Sequence, residues 1–413
     1  MKKVHAGLFF VSFLCLGHLS IASANPEDNA PPEMVRLAKQ TVICKFNDNT
    51  LPDSVPSLVN DIVQQNSASV RHSYHTILKG FSAHMSLTAA QALQVNNPNI
   101  DYCVSNALVT IGGTKVTTGG KGGEGGKPGQ AAPQIVPEGV VRVGGPIDGT
   151  GLTAWIIDSG IDLDHPDLNV DAGRGFDAVS SVAKGKSTIE DVNGHGTHVA
   201  GTLAAIDNDI DVVGVAAGAT VVPVRVLAAS NWGYADDVIA GMDYVAANAS
   251  FLDVVNMSVW GWNHNRAFHD AAYKLADRVT VVTISGNGSA DINDEPTEPG
   301  HVEHKYLITV SAVDHNDVFT DFSNWGHAAD WTNCSAGYPN DPYACATVDY
   351  AAPGKDVISL KPGGGLAEWY GTSMAAPHVA AIRLLLQNRN ITSSDDGVAI
   401  DDPDSYSDPI VHY

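Results

Sequence analysis

The stretch LTAWIIDSG, residues 152–160, carries the reading that decides the fold. Its apolar positions run almost continuously instead of alternating with polar ones, so the strand it predicts needs cover on both faces. Four more runs share that character: TVVPVRVL (220–227), LDVVNMSVWG (252–261), VTVVTISGN (279–287) and KYLITVSAVD (305–314). Helical segments such as YADDVIAGMDYVAANA (234–249) stand between them. Such an alternation over residues 134–390 predicts an α/β fold, a three-layer sandwich around a central, mostly parallel sheet.

Upstream, residues 41–111 predict a small α/β module. TVICKF reads as a strand, VPSLVNDIVQQN as a helix, SYHTILKGFSAHM (73–85) as a second strand, Leu87–Gln94 as a helix and DYCVSNALV (101–109) as a last strand. GGTKVTTGGKGGEGGKPGQ (112–130) lacks apolar periodicity, so residues 112–133 read as a flexible linker. Lys2, Lys3, an apolar stretch and Ala22-Ser23-Ala24 give residues 1–24 the pattern of a secretory signal, and a secreted, extracellular protein is expected. A membrane anchor is the other reading, but Ser and His interrupt the stretch and no other segment reaches the roughly 18 apolar residues of a span. At the far end SSDDGVAIDDPDSYSD (393–408) is acidic and aperiodic, so residues 391–413 are expected to form a solvated tail.

With 44% hydrophobic and 17% charged residues the composition is globular. A formal net charge of -23 argues against nucleic acid, which needs clustered Lys and Arg, and favours a cation. Beyond the signal stand Cys44, Cys103, Cys334 and Cys345, which fall into two well-separated pairs; Cys44–Cys103 and Cys334–Cys345 are the expected bridges.

Three segments carry chemistry. Asp158 ends the strand in AWIIDSG, where α/β enzymes place reactive groups, although a helix cap also wants an acidic residue there. NGHGTHVAGT (193–202) sets His195 and His198 one helical turn apart; HExxH and an obvious third ligand are missing, so zinc is the weaker reading, and a hydrogen-bonded core histidine stays open for each. YGTSMAAPHVA (370–380) surrounds Ser373 with small residues, which keeps its hydroxyl approachable but also suits tight helix packing. A carboxylate, an imidazole and a hydroxyl are the types nucleophilic catalysis requires: the imidazole takes the hydroxyl proton and the carboxylate fixes the imidazole tautomer.

DSGIDLDHPDL (158–168), HGTHVAGT (195–202) and GTSMAAPHVA (371–380), in that order, resemble the three motifs of the subtilisin-like serine proteases, the family of subtilisin and proteinase K. The resemblance implies that Asp158 orients the imidazole, His195 takes and returns the proton, and Ser373 attacks the carbonyl. TISGNGS (283–289) resembles the family's oxyanion loop, with the Asn287 amide and the Ser373 N–H as donors. VLAASNWGY (226–234) and NMSVWG (256–261) resemble the groove edges, so that Ser258, Val259 and Trp260 would hold an extended peptide as an added strand. Trp260 stands where the family usually has glycine; either it narrows the groove or Gly261 takes that place.

The same resemblance implies structural Ca²⁺. LAAIDNDIDVVGV (203–215) is similar to the family's calcium loop, with the Asn208 side chain, the carbonyls of Ile206, Ile210 and Val212, and Asp167 and Gln134 as ligands. A solvated acidic loop is the alternative. Residues 25–111 resemble the family's propeptide, a ferredoxin-like inhibitor and intramolecular chaperone that occupies the cleft until it is removed, and QIVPEGV (134–140) resembles a mature N-terminus. The implied function is a secreted, monomeric serine endopeptidase made as a zymogen, acting on polypeptides, with no nucleic-acid or membrane partner. A catalytically inactive, protease-like binding protein is the alternative.

Overall fold

The computed structural model describes residues 29–66, 68–111, 114–115, 132–179, 188–327, 346–389, 394–404 and 406–413. The signal segment, most of the linker and the expected Cys334–Cys345 bridge lie outside the described residues.

The N-terminal module comprises α1 (Pro32–Lys39), β1 (Thr41–Phe46), α2 (Val55–Asn66), β2 (Ser69–Tyr74), β3 (Gly80–His84), α3 (Leu87–Asn96) and β4 (Ile100–Ser105). Its strands form one antiparallel sheet in the order β2-β3-β1-β4, over a core that includes Phe46, Val59, Ile62, Phe81 and Leu93. Cys44 and Cys103 are register partners across β1 and β4 and form the expected disulfide. SYHTILKGFSAHM, expected as one strand, is divided: β2 ends at Tyr74, and the N–H groups of His75, Thr76 and Ile77 turn toward the carboxylate of Asp243.

The larger unit begins with β5 (Leu108–Ile111), β6 (Thr114–Lys115), α4 (Glu138–Arg142), β7 (Ile147–Asp148), β8 (Thr153–Asp158), β9 (Asn169–Val170) and β10 (Phe176–Asp177). It continues through α5 (His195–Ala204), β11 (Ala216–Ala217), β12 (Thr220–Arg225), β13 (Trp232–Tyr234), α6 (Ala235–Asn248), β14 (Val254–Met257), β15 (Val259–Trp262) and α7 (Arg266–Ala276). Last come β16 (Thr280–Ile284), β17 (Thr297–Glu298), β18 (Leu307–Val313), β19 (Tyr350–Pro353), β20 (Val357–Leu360), β21 (Leu366–Tyr370), α8 (Thr372–Arg389), β22 (Ser394–Val398) and β23 (Pro409–His412).

The central sheet runs β10-β12-β8-β14-β16-β18-β19-β23-β22 and is parallel from β10 through β23. α5 and α8 pack together on one face and α6 with α7 on the other, which buries both sides of the apolar strands as their composition requires. The strand order reverses at β8, whose neighbours β12 and β14 follow it in the chain on opposite sides; a crevice opens at the carboxyl end of such a switch point. Asp158 is the last residue of β8.

Three expectations are corrected. LDVVNMSVWG breaks at Ser258 into β14, in the central sheet, and β15, in a second sheet ordered β13-β5-β15-β17. DYCVSNALV likewise divides into β4 and β5, because β5 pairs with β13 and β15 rather than with the module. The C-terminal segment is not merely a solvated tail: β23 joins the parallel sheet beside β19 and buries Ile410 and Val411, an apolar pair masked by its acidic surroundings. β22 and the exposed Asp401, Pro403, Tyr406 and Ser407 do match the expectation of exposure.

Candidate active site

α5 starts at His195 because the residue before it, Gly194, adopts φ +106°, a left-handed conformation that favours glycine. Asp191 then satisfies the donors of the first turn, accepting from the N–H of Gly194 at 2.8 Å and from the N–H and hydroxyl of Thr197 at 2.9 and 2.6 Å. Gly196 lets the helix lie on the loop after β8; a Cβ there would stand 2.0 Å from the carbonyl oxygen of Gly160. The result brings His195 Nδ1 to 2.8 and 2.9 Å from the two carboxylate oxygens of Asp158. Nδ1 therefore carries the donated proton and Nε2 is left as an acceptor. His195 Nε2 is buried and makes no hydrogen bond among the described residues.

Ser373 sits in the first turn of α8, fully buried with Asp158 and His195. Its hydroxyl donates to the carbonyl of Ser258 at 3.1 Å. Asn287 is fixed by its Oδ1, which accepts from the N–H (2.9 Å) and hydroxyl (3.0 Å) of Thr372. The Ser373 N–H belongs to the first turn of α8, whose donors have no intrahelical acceptor, and the contacts with Thr372 hold the Asn287 side chain beside that turn. His198 is a core histidine: its Nε2 lies 3.1 Å from the Val357 carbonyl, and burial, with His195 nearby, pushes it down to about 3.

The sequence-expected groove residues line a strand that is already paired. β15 runs antiparallel to β5, with Val259 opposite Ile111 and Trp260 opposite Thr110, while β13 pairs with the other edge of β5. Past Ile111 the chain reappears at β6, where Thr114 pairs with Tyr370, three residues before Ser373. Trp260 lies between β5 and the segment that leads to Asn287. Its Nε1 donates to the Ile111 carbonyl at 3.3 Å, and its ring lies so close to Gly286 that a Cβ there would be 3.0 Å from the ring carbon Cε3.

The expected calcium ligands also converge. Gln134 Nε2 reaches the carbonyls of Ile206 (2.9 Å) and Val212 (3.5 Å), Asn208 Nδ2 donates to Asp167 Oδ1 at 2.7 Å, and Asn208 Oδ1 accepts the Ile210 N–H. Burial pushes Asp167 up to about 7. Turning the Gln134 amide would set its oxygen beside the Ile206 and Val212 carbonyls, which with the Asp167 carboxylate and the Asn208 side-chain oxygen nearby is a donor chemistry that fits Ca²⁺.

Sequence reasoning missed how the module docks. Arg71 Nε donates to Asp236 at 2.5 Å and its Nη2 to Asp237 at 3.0 Å; His72 Nε2 lies 2.6 Å from Asp237. Burial opposes ionisation of Asp236, yet Arg71 and then His72 hold its carboxyl below the usual range. Asp236 and Asp237 open α6, where acidic residues suit the helix dipole, and that ordinary reading hid their use as an interface.

Residues 149–398 match the model of the subtilase family. The chain is 29% identical over 378 residues to M-protease of Shouchella clausii (strain KSM-K16), covering 90% of this chain and 84% of that one. It is 34% identical over 264 residues to subtilisin Savinase of Lederbergia lenta, covering 62% of this chain and 86% of the relative. A crystal structure of a cold adapted subtilisin-like serine proteinase superposes with a TM-score of 0.55 at 30% identity, over 68% of this chain and 98% of that one.

Proposed function

Because the chain belongs to the subtilase family and is a subtilisin-type serine protease, we propose that it is a secreted endopeptidase, made as a zymogen, whose catalytic residues are Asp158, His195, Ser373 and Asn287. The observation that carries this reading is the 2.8 Å contact of His195 Nδ1 with Asp158, which leaves Nε2 to serve as the base. A turn of the Ser373 side chain from the Ser258 carbonyl to His195 Nε2 sets up proton abstraction as the hydroxyl oxygen attacks a peptide carbonyl. Asn287 and the Ser373 N–H would hold the oxyanion; the proton then passes to the leaving amine, and His195 activates water to release the acyl group.

Residues up to 111 act in this proposal as inhibitor and folding aid, and residues 134–390 as the peptidase. The topology of the module, its buried ion pairs and the insertion of β5 between β13 and β15 support that division. So does the M-protease alignment, which at 90% of the chain reaches into the module. β5 and β6 flank Ser373 as the two sides of a bound substrate would, and cleavage is proposed between Ile111 and Thr114. Ca²⁺ held by Gln134, Asp167, Ile206, Asn208, Ile210 and Val212 would stabilise the loop after α5 without entering the chemistry.

The test compares the full chain with its Ser373→Ala variant by intact mass spectrometry in calcium buffer. A fragment ending at residues 111–113 in the parent alone supports self-processing; two whole, folded chains that also resist fluorophosphonate labelling after trimming would sink the catalytic reading in favour of a binding protein.

A further inference from the structure

Four metal-ligating side chains that the proposed reaction does not use meet behind the groove wall. His264 stands in the connection from β15 to α7, His269 in the first turns of α7, Glu298 on β17, and His301 three residues beyond it. One ligand atom from each lies within 4.8 Å of all the others. Glu298 Oε1 is 2.7 Å from His264 Nδ1 and 3.3 Å from His269 Nδ1, and the ring centroids of His269 and His301 are 6.5 Å apart. His269, Glu298 and His301 are buried, and His264 nearly so.

We propose that these four residues form a binding site for one divalent transition-metal ion, Zn²⁺ by the chemistry of the donors. Three imidazoles and one carboxylate make an N₃O set, which suits Zn²⁺ and not Ca²⁺, whose ligands are oxygens. Zinc bonds of about 2.0–2.1 Å to four tetrahedral ligands space the donor atoms about 3.3 Å apart. The contacts between Glu298 and the two imidazoles already lie near that spacing, so small side-chain shifts would complete the shell. A carboxylate taken wholly out of water needs compensating charge, and Glu298 Oε2 accepts no hydrogen bond among the described residues. Only unprotonated imidazoles can bind the ion, so binding weakens in acid.

The ion would be a clamp. Glu298 is the register partner of Gly261 and Thr297 of Trp262, so β17 is the strand that backs β15, and β15 is the wall along which β5 lies. Tying β17 to α7 through the metal fixes that wall from behind.

The full chain carrying Ser373→Ala, which cannot digest itself, is dialysed against Zn²⁺ with Ca²⁺ kept in excess. One zinc per chain by elemental analysis is expected, with an X-ray absorption spectrum showing imidazole scattering and, for the Co²⁺-loaded chain, the intense visible band of a tetrahedral site. The His269→Ala/His301→Ala double variant should lose the stoichiometric metal and the Co²⁺ band while keeping its circular dichroism. Should that variant fail to fold, Glu298→Gln, of equal size, is expected to weaken zinc binding at least tenfold. Absence of stoichiometric zinc in the parent, a zinc edge without imidazole scattering, or undiminished binding in the folded variants would each overturn the assignment.

Discussion

Ser373 and Ser258 are bound reciprocally: the Ser373 hydroxyl donates to the Ser258 carbonyl at 3.1 Å, and the Ser258 hydroxyl donates back to the Ser373 carbonyl at 3.0 Å. The second bond is possible because Pro377, four residues on in α8, has no N–H to give that carbonyl. The proline thus frees an acceptor that ties the proposed nucleophile to the start of the groove strand. Asn256 Nδ2 in turn donates to the Ser258 hydroxyl at 2.8 Å. Replacing Ser258 by Ala should leave a buried carbonyl unpaired and cost about 1–3 kcal/mol in chemical denaturation of the Ser373→Ala chain. An unchanged midpoint would mean that the proline's vacancy is filled otherwise.

Trp260 is expected to limit the size of the substrate residue whose carbonyl is attacked, because its ring lies against Gly286 where the family glycine would leave room. For Trp260→Gly, kcat/KM toward peptides with Leu or Phe at that position should rise at least tenfold relative to peptides with Gly or Ala. A parallel change for both peptide classes would rule out a role in specificity.

Docking of the module rests on a buried charge cluster, so Arg71→Ala strands Asp236 in the interface. Truncating one partner of such a pair costs about 3–5 kcal/mol, so an isolated Arg71→Ala module should inhibit the mature enzyme on the order of 10²–10⁴-fold more weakly than its parent. Equal inhibition constants would show that β5 alone supplies the affinity.

Calcium should protect the fold rather than drive turnover. At a calcium concentration about 100 times Kd the bound ion adds about 2.7 kcal/mol, or about 5 °C in Tm for the unit over residues 134–390. Asp167→Ala should abolish that calcium-dependent difference; if it persists in a calorimeter scan, the ion sits elsewhere.

His378 gives a pH signature. Burial pushes it down to about 4, with Nδ1 2.9 Å from the Met374 carbonyl, while the unfolded chain titrates near the ordinary histidine value of about 6.5. Between these values the unfolded state binds the extra proton, so the stability complete above about pH 6.5 is lost as pH falls toward 4, by up to about 1.4 kcal/mol per pH unit. His378→Gln should flatten the slope of unfolding free energy against pH in that window by about this amount; an unaltered slope would refute the assignment.

How much of this was legible follows from the kind of interaction involved. Local chemistry was: continuous apolar runs announced covered parallel strands, and the small residues around Ser373 announced an approachable hydroxyl, because each depends on neighbours a few residues away. The sequence alone determined the three-layer fold, the Asp158, His195 and Ser373 motifs and the pairing of Cys44 with Cys103. Only the tertiary structure decided that Ser258 ends one strand and begins another, that Pro377 frees a carbonyl for Ser258, and that β23 enters the central sheet. It alone brought His264 and His269 to Glu298 and His301, and Arg71 to Asp236. Partners of that sort lie far apart in the chain and meet only when strand order and register are set, and nothing in either segment's own propensity records the other.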